Sequence, residues 1–176
     1  MLAALCAAAV GCKSTSFAAP APPPGVVVAQ LAVTSAAVAS GGMVPVDFTC
    51  DGANRSPPLT FSAPPRGTAS LAVVFDDPDA SGFTHWTVYN LPAETLALPE
   101  AVDLSAIGAL AGVNDFHRPG YGGPCPPRFE EHHYSIRVYA LDTRLDLAAE
   151  ASRTSLDSAM NGHVLAQGSL SAQFSH

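Results

Sequence analysis

Leu71-Ala72-Val73-Val74-Phe75-Asp76-Asp77-Pro78-Asp79 is the stretch on which the reading of this chain turns. An apolar run with no polar break suits a strand buried on both faces. Three carboxylates then crowd its end, where mutual repulsion and partial desolvation demand partners or a purpose. A capped Asp-Pro turn is the plain explanation; a binding site at a strand end is the sharper one.

Further short β-rich runs, separated by Pro and Gly, lie on either side. Val26 to Val33, Met43 to Thr49, Leu59 to Phe61, Trp86 to Leu91, Tyr134 to Leu141 and Ser169 to Phe174 read as strands. In the fifth of these, Tyr134, Ile136, Val138 and Ala140 share one face, and Ser135, Arg137, Tyr139 and Leu141 share the other. One helix is expected after Thr154, its candidate cap, with Asp157 at the capping-box position. Leu156, Ala159, Met160, His163 and Val164 would form its apolar stripe. The expectation is a mostly β fold with one or two short helices.

Composition narrows the function classes. The chain has 176 residues, and charged residues make up 13% of it, about half the usual share of roughly 25%. Its basic residues are one Lys and seven Arg, scattered without a patch, which argues against nucleic-acid binding. Met1 to Gly11 is apolar and too short to span a bilayer as a helix. It reads as a secretory signal, and Ala9-Val10-Gly11-Cys12 resembles a bacterial lipobox that would lipidate Cys12. The expected organisation is a signal over residues 1–12, a Pro-rich tether over 13–25 and one domain over 26–176. That domain carries seven Arg against fifteen acids, a formal −8, so membrane attachment would come through Cys12 alone. Residence in the cell envelope or periplasm, or secretion, follows as an expectation.

Two further motifs bear on chemistry. His85-Trp86 opens a strand, and Gly120-Tyr121-Gly122-Gly123-Pro124-Cys125-Pro126-Pro127 precedes His132-His133-Tyr134 at the start of another. The glycines permit a backbone tight enough to aim N–H groups inward, and the prolines stiffen the rim. Asp77, His85 and His132 all fall at strand ends, where a sheet can gather them at one mouth.

Together with Cys50-Asp51-Gly52, Ser56-Pro57, Asp77-Pro78-Asp79-Ala80, Gly112-Val113-Asn114-Asp115-Phe116 and Tyr139-Ala140-Leu141-Asp142, these motifs resemble the phosphatidylethanolamine-binding protein family. The branch resembled is the bacterial Raf-kinase-inhibitor-like (YbhB/YbcL) type. The resemblance runs in family order across about residues 30 to 174. It implies a large antiparallel sheet packed against a smaller one, with a shallow pocket for phosphate-like groups, including phosphorylethanolamine. Position by position, it implies Asp77, His85, Gly123, Pro124, His132 and Tyr134 as ligand-binding residues. No cofactor and no metal are implied. Imidazoles and loop N–H groups would hold a phosphoryl oxygen, while Asp77 would keep a His protonated or face an ammonium.

Three departures from the family pattern stand out: Ser81 where Pro is frequent, His133 in place of Arg, and His117 in place of a small residue. Cys6 falls in the leader and Cys12 in the lipobox, leaving Cys50 and Cys125 for the domain. An oxidising compartment favours a disulfide between them, with buried free thiols as the alternative. A hydrolase acting on phosphoesters or esters through pocket histidines, and a module that inhibits or modulates a partner protein, remain the competing classes. Neither a G-x-S-x-G elbow nor a P-loop supports the hydrolase.

Overall fold

A computed structural model of the chain describes residues 19–176. The expected signal, Cys12 and the first part of the tether lie outside the described residues. The tether's remaining part lies against the domain: Ala21 N–H donates to Asn161 Oδ1 at 3.1 Å, and Ala21 O accepts from Gly162 N–H at 2.9 Å.

Ten strands and one helix follow. The strands are β1 (Ala29–Gln30), β2 (Val33–Thr34), β3 (Gly42–Met43), β4 (Leu59–Phe61), β5 (Ser70–Asp77), β6 (Phe83–Pro92), β7 (Ala97–Leu98), β8 (Leu110–Ala111), β9 (Glu131–Leu141) and β10 (Val164–Ser175); the helix is α1 (Arg153–Met160). The larger sheet has seven strands in the order β1-β10-β9-β5-β6-β8, with β3 also on β10; the smaller is β2-β4-β7. The expected large antiparallel sheet is therefore mixed. Its long strands pair antiparallel, while the two-residue β1 and β3 lie parallel along successive parts of β10. These fragments cover the β10 edge, which would otherwise present unpaired N–H and C=O groups.

The apolar run works as its composition suggests. Every residue of β5 is buried, because both faces of the large sheet are covered. On one face Val73 and Phe75 join Trp86, Val88, Ile136 and Val138 against the smaller sheet's Val33, Leu59, Phe61 and Leu98. On the other, Ala72, Val74, Tyr89, Tyr139 and Leu141 meet Leu156 and Met160 of α1. The two-face division of β9 follows the alternation in its sequence.

Local expectations needed correction at three places. Met43 to Thr49 is not a strand: after β3, a short 3-10 turn runs over Val46–Phe48 and closes through Thr49 N–H to Val46 O at 3.0 Å. The run Val26 to Val33 yields only β1 and the first residue of β2, on different sheets. The helix is capped by Ser152, whose Oγ accepts from Ser155 N–H at 3.1 Å, rather than by Thr154. Asp157 reaches Arg153 Nε at 2.9 Å instead of closing a capping box, and Val164 belongs to β10.

Candidate functional site

Antiparallel pairing sets the end of β5 beside the starts of β6 and β9, so Asp77, His85 and His132 converge. Residues Asp76 and Asp77 leave the strand on opposite faces. Asp76 turns toward α1 and is held by Arg137 and by Arg153 Nη1, the latter at 3.1 Å. Asp77 turns the other way, and its Oδ2 accepts from His132 Nδ1 at 2.7 Å. Asp79 is a third case, exposed and bound to both the N–H and Nδ1 of His133, at 2.7 and 2.8 Å. Those bonds hold its carboxyl below the usual carboxylate range. Each of the three crowded carboxylates thus has its own histidine or arginine partner.

The turn after β5 is built by Asp77 itself, which accepts Ala80 N–H on Oδ1 at 3.0 Å and Gly82 N–H on its carbonyl at 2.9 Å. Ser81 sits at φ +57°, which a proline ring cannot adopt, so this turn differs in path from one carrying proline there.

His85 is placed by a β-bulge. Phe75 pairs with Trp86 and Asp76 with Thr84, leaving His85 as the extra residue of β6. Bulges redirect side chains in this way. His85 therefore faces the same side as Trp86, with its ring 5.2 Å from Phe75, 5.1 Å from Phe83 and 5.4 Å from Tyr134. Its Nδ1 lies 2.8 Å from Gly122 O and 3.1 Å from Gly123 O. Carbonyls only accept, so Nδ1 carries the proton and Nε2 is left as the second polar atom of the ring. Burial lowers the His85 pKa and keeps the ring neutral. The hydrogen bond to Asp77 raises that of His132, favouring its cation.

The loop between β8 and β9 forms the far wall. Asn114, buried, donates Nδ2–H to Gly120 O at 2.9 Å and accepts Phe116 N–H on Oδ1 at 3.0 Å. Thr84 and Asp115 exchange bonds that hook this loop onto β6: Thr84 N–H to Asp115 Oδ2 at 2.7 Å, Asp115 N–H to Thr84 O at 2.9 Å. Phe116 then closes over Phe83, edge to face at 4.8 Å. The Gly122-Gly123 segment is stitched to the 48–54 segment: Gly123 N–H donates to Asn54 Oδ1 at 2.7 Å, Tyr121 OH to Phe48 O at 2.6 Å, and Cys50 N–H to Pro124 O at 3.0 Å. A Cβ at Gly123 would collide with Phe48 O, so glycine permits this approach. The Cys50–Cys125 disulfide joins the same two segments. Both cysteines are exposed, not the buried thiols of the alternative expectation.

What results is a pocket of about 170 Å³ lined by Asp77, His85 and His132 with Phe83, Phe116 and Pro126. Its volume is below the roughly 300–1,000 Å³ of sites for drug-sized ligands. Three expected residues play other parts. Gly123 and Pro124 support the wall rather than line the pocket, and the N–H groups of Gly122 and Gly123 are taken by His85 O and Asn54 Oδ1. The expectation that these loop N–H groups point inward is corrected accordingly. Tyr134 packs against His85 without lining the pocket, and its hydroxyl is buried beside Asp77. Burial, then the charge of Asp77, raises its pKa. His117 is exposed at φ +61° and does not line the pocket.

Phe83, Phe116 and Pro126 escaped sequence reading as pocket residues. Phe83 carried a usable signal, two residues before His85, but only once the bulge is known.

Comparisons with known proteins agree with this architecture. The family model described as phosphatidylethanolamine-binding protein matches residues 34–175. A UPF0098 protein of Methanothermobacter thermautotrophicus is 45% identical over 134 residues, covering 73% of this chain and 88% of that protein. UPF0098 protein YbhB of Escherichia coli is 41% identical over 133 residues, covering 71% and 84%. The crystal structure of E. coli YbcL, described as a new member of the mammalian PEBP family, superposes with a TM-score of 0.78 at 34% identity, covering 84% of this chain and 99% of YbcL.

Proposed function

The chain belongs to the phosphatidylethanolamine-binding protein family, in its YbhB/YbcL-type branch, and on that premise we propose that it is an exported protein that binds phosphate-like head groups between His85 and His132. The observation that carries the reading is the contrast between the two histidines. His132 is held toward its cation by Asp77, and His85 is held neutral by burial with its proton on Nδ1. A cationic donor beside a neutral ring whose Nε2 can only accept suits a monoprotonated phosphoryl group, which accepts from His132 and donates its P–O–H to His85 Nε2. Burial on an apolar wall of Phe83 and Phe116 strengthens that attraction relative to water.

Asp77 acts here through His132. Both of its oxygens already accept bonds, from Ala80 N–H and His132. An ammonium on the same ligand would meet Glu130 at the rim, whose Oε2 lies 3.4 Å from His132 Nε2. Phosphorylethanolamine should therefore bind more tightly than inorganic phosphate in an NMR titration. Equal affinities would remove the zwitterion preference, and no binding of either would remove the site.

Export is supported by the lipobox-like residues 9–12 and by an exposed disulfide, which suits an oxidising compartment. Metabolic labelling with palmitate should mark the wild type and not Cys12→Ser; unlabelled wild-type protein would leave a soluble exported form. The family's description is of a binding protein. Saturable turnover of phosphoester or ester substrates that depends on His132 would replace this reading with the hydrolase.

A further inference from the structure

We propose that Cys50, Cys125 and His176, once the disulfide is reduced, form a site for a thiophilic divalent metal such as Zn2+, beside the histidine pocket and distinct from its histidines. The two sulfurs and an imidazole nitrogen all lie within 4.8 Å of one another. Tetrahedral zinc with its usual bond lengths sets donor atoms about 3.5–3.8 Å apart. Opening the disulfide frees the sulfurs to reach that spacing, with the Cα atoms already 5.4 Å apart. All three residues are exposed, so reductant and metal can reach them.

The position of His176 is the more specific observation. Its Nδ1 lies 2.8 Å from Asp51 Oδ2, and its Nε2 lies 2.8 Å from Pro126 O. Asp51 follows Cys50 and Pro126 follows Cys125, so the ring bridges the chain neighbours of both sulfurs. Turning Nε2 from the Pro126 carbonyl to the metal would leave Nδ1–H on Asp51. That is the carboxylate–histidine–metal relay that orients ligating imidazoles. Two thiolates and an imidazole are a donor set that zinc takes with one position left for water.

The chemistry balances with a dithiol as reductant. Its two thiols supply two electrons, the Cys50–Cys125 S–S bond breaks, and the reductant leaves as its cyclic disulfide. Metal binding then releases the two cysteine thiol protons and the Nε2 proton to solvent. Because Cys125 also lines the histidine pocket, disulfide and metal would be alternative staples of one wall.

The test uses the full chain, oxidised or reduced by a dithiol that is then removed under anaerobic conditions. Zn2+ is titrated against a chromophoric chelator, and Co2+ serves as the optical probe. The expected result is one Zn2+ per reduced chain, none on the oxidised chain, and thiolate-to-cobalt charge-transfer absorption. His176→Ala should weaken Zn2+ binding at least about 10-fold, and Asp51→Asn about 10-fold or more, in the range of outer-shell losses. Equal zinc binding before and after reduction, a cobalt spectrum without thiolate bands, or unchanged affinity in His176→Ala would each overturn the site. Circular dichroism follows the fold. If reduction abolishes the strand signal, its return on adding Zn2+ supports the proposal, and its failure to return contradicts it.

Discussion

Asp76 and Asp77 are consecutive residues of one strand, both buried, and they belong to two different kinds of site. Asp76 faces α1 and is closed in by two arginines, Arg137 and Arg153, with Arg153 also bound to Asp157. Asp77 faces the smaller sheet's side and meets one histidine, whose other nitrogen lies at the rim near exposed Glu130. The first cluster is surrounded by fixed opposite charge and holds the helix to the sheet. The second joins a carboxylate to a titratable cation beside a cavity. Burial alone does not separate structural charge from functional charge; what the partner can still do separates them.

That contrast can be broken most forcefully at Asp76. Asp76→Ala takes the carboxylate from Arg137 and one of its carboxylate partners from buried Arg153, which keeps Asp157. Breaking a buried pair from one side costs about 3–5 kcal/mol. For a domain of this size the melting temperature should fall by roughly 6–20 °C, at about 2–4 °C per kcal/mol. Thermal unfolding checks this, and sulfate affinity of the folded variant should be unchanged. A stable variant with lost sulfate binding would reverse the roles assigned to the two aspartates.

Next in size is His132→Ala, which removes the cationic donor and keeps the fold. A hydrogen bond to a charged group is worth about 1.5–3 kcal/mol, so sulfate affinity at pH 6 should fall roughly 10- to 100-fold. Calorimetry reads that loss directly. An unchanged affinity would place the anion elsewhere.

The smallest effect, and the sharpest, is that of Asp77→Asn. Sulfate keeps one charge state across the neutral range, so the pH dependence reports the protein. In the wild type His132 has a folded pKa raised above its unfolded value of about 6.5. The stabilisation from its pairing is therefore fully present below about pH 6.5 and is lost as pH rises through the folded pKa. Anion affinity should fall over the same rise. Asp77→Asn should move that midpoint down toward about 6.5, leaving affinity on the acid side nearly unchanged. His85 runs the opposite way. Its pKa is depressed by burial, so its contribution to stability holds above about pH 6.5 and is lost as pH falls through the folded value. A midpoint that does not move in Asp77→Asn would deny the pairing any role in binding.

Much of this is legible in the amino-acid sequence alone. The unbroken Leu71 to Phe75 run signalled a strand covered on both sides, and alternation in Tyr134 to Leu141 sorted its two faces as the structure does. Cys50 and Cys125 paired as expected. The bulge at His85 was not legible, because an extra residue in a ladder depends on the partner's register, which no local pattern records. The same holds for the commitment of the Gly122 and Gly123 N–H groups, decided by His85 O and by Asn54, 69 residues from Gly123. Val44, Val46 and Phe48 alternate like a strand, yet Thr49 and Gly52 turn the chain: Thr49 Oγ1 caps Val46 O at 2.9 Å, and a Cβ at Gly52 would strike the same carbonyl. There side-chain hydrogen bonding and close backbone approach outweighed periodicity.

The central claim is that one anion sits between a cationic His132 and a neutral His85. Imidazole 15N NMR of the full chain at pH 6, titrated with inorganic phosphate, which carries an acidic proton for His85 Nε2, tests it most directly. Saturable, single-site shifts of both the His132 and His85 ring signals, with exposed His117 and His133 unmoved, are the expected result. Saturation confined to the exposed histidines, or no saturable shift at His132 and His85, would contradict it.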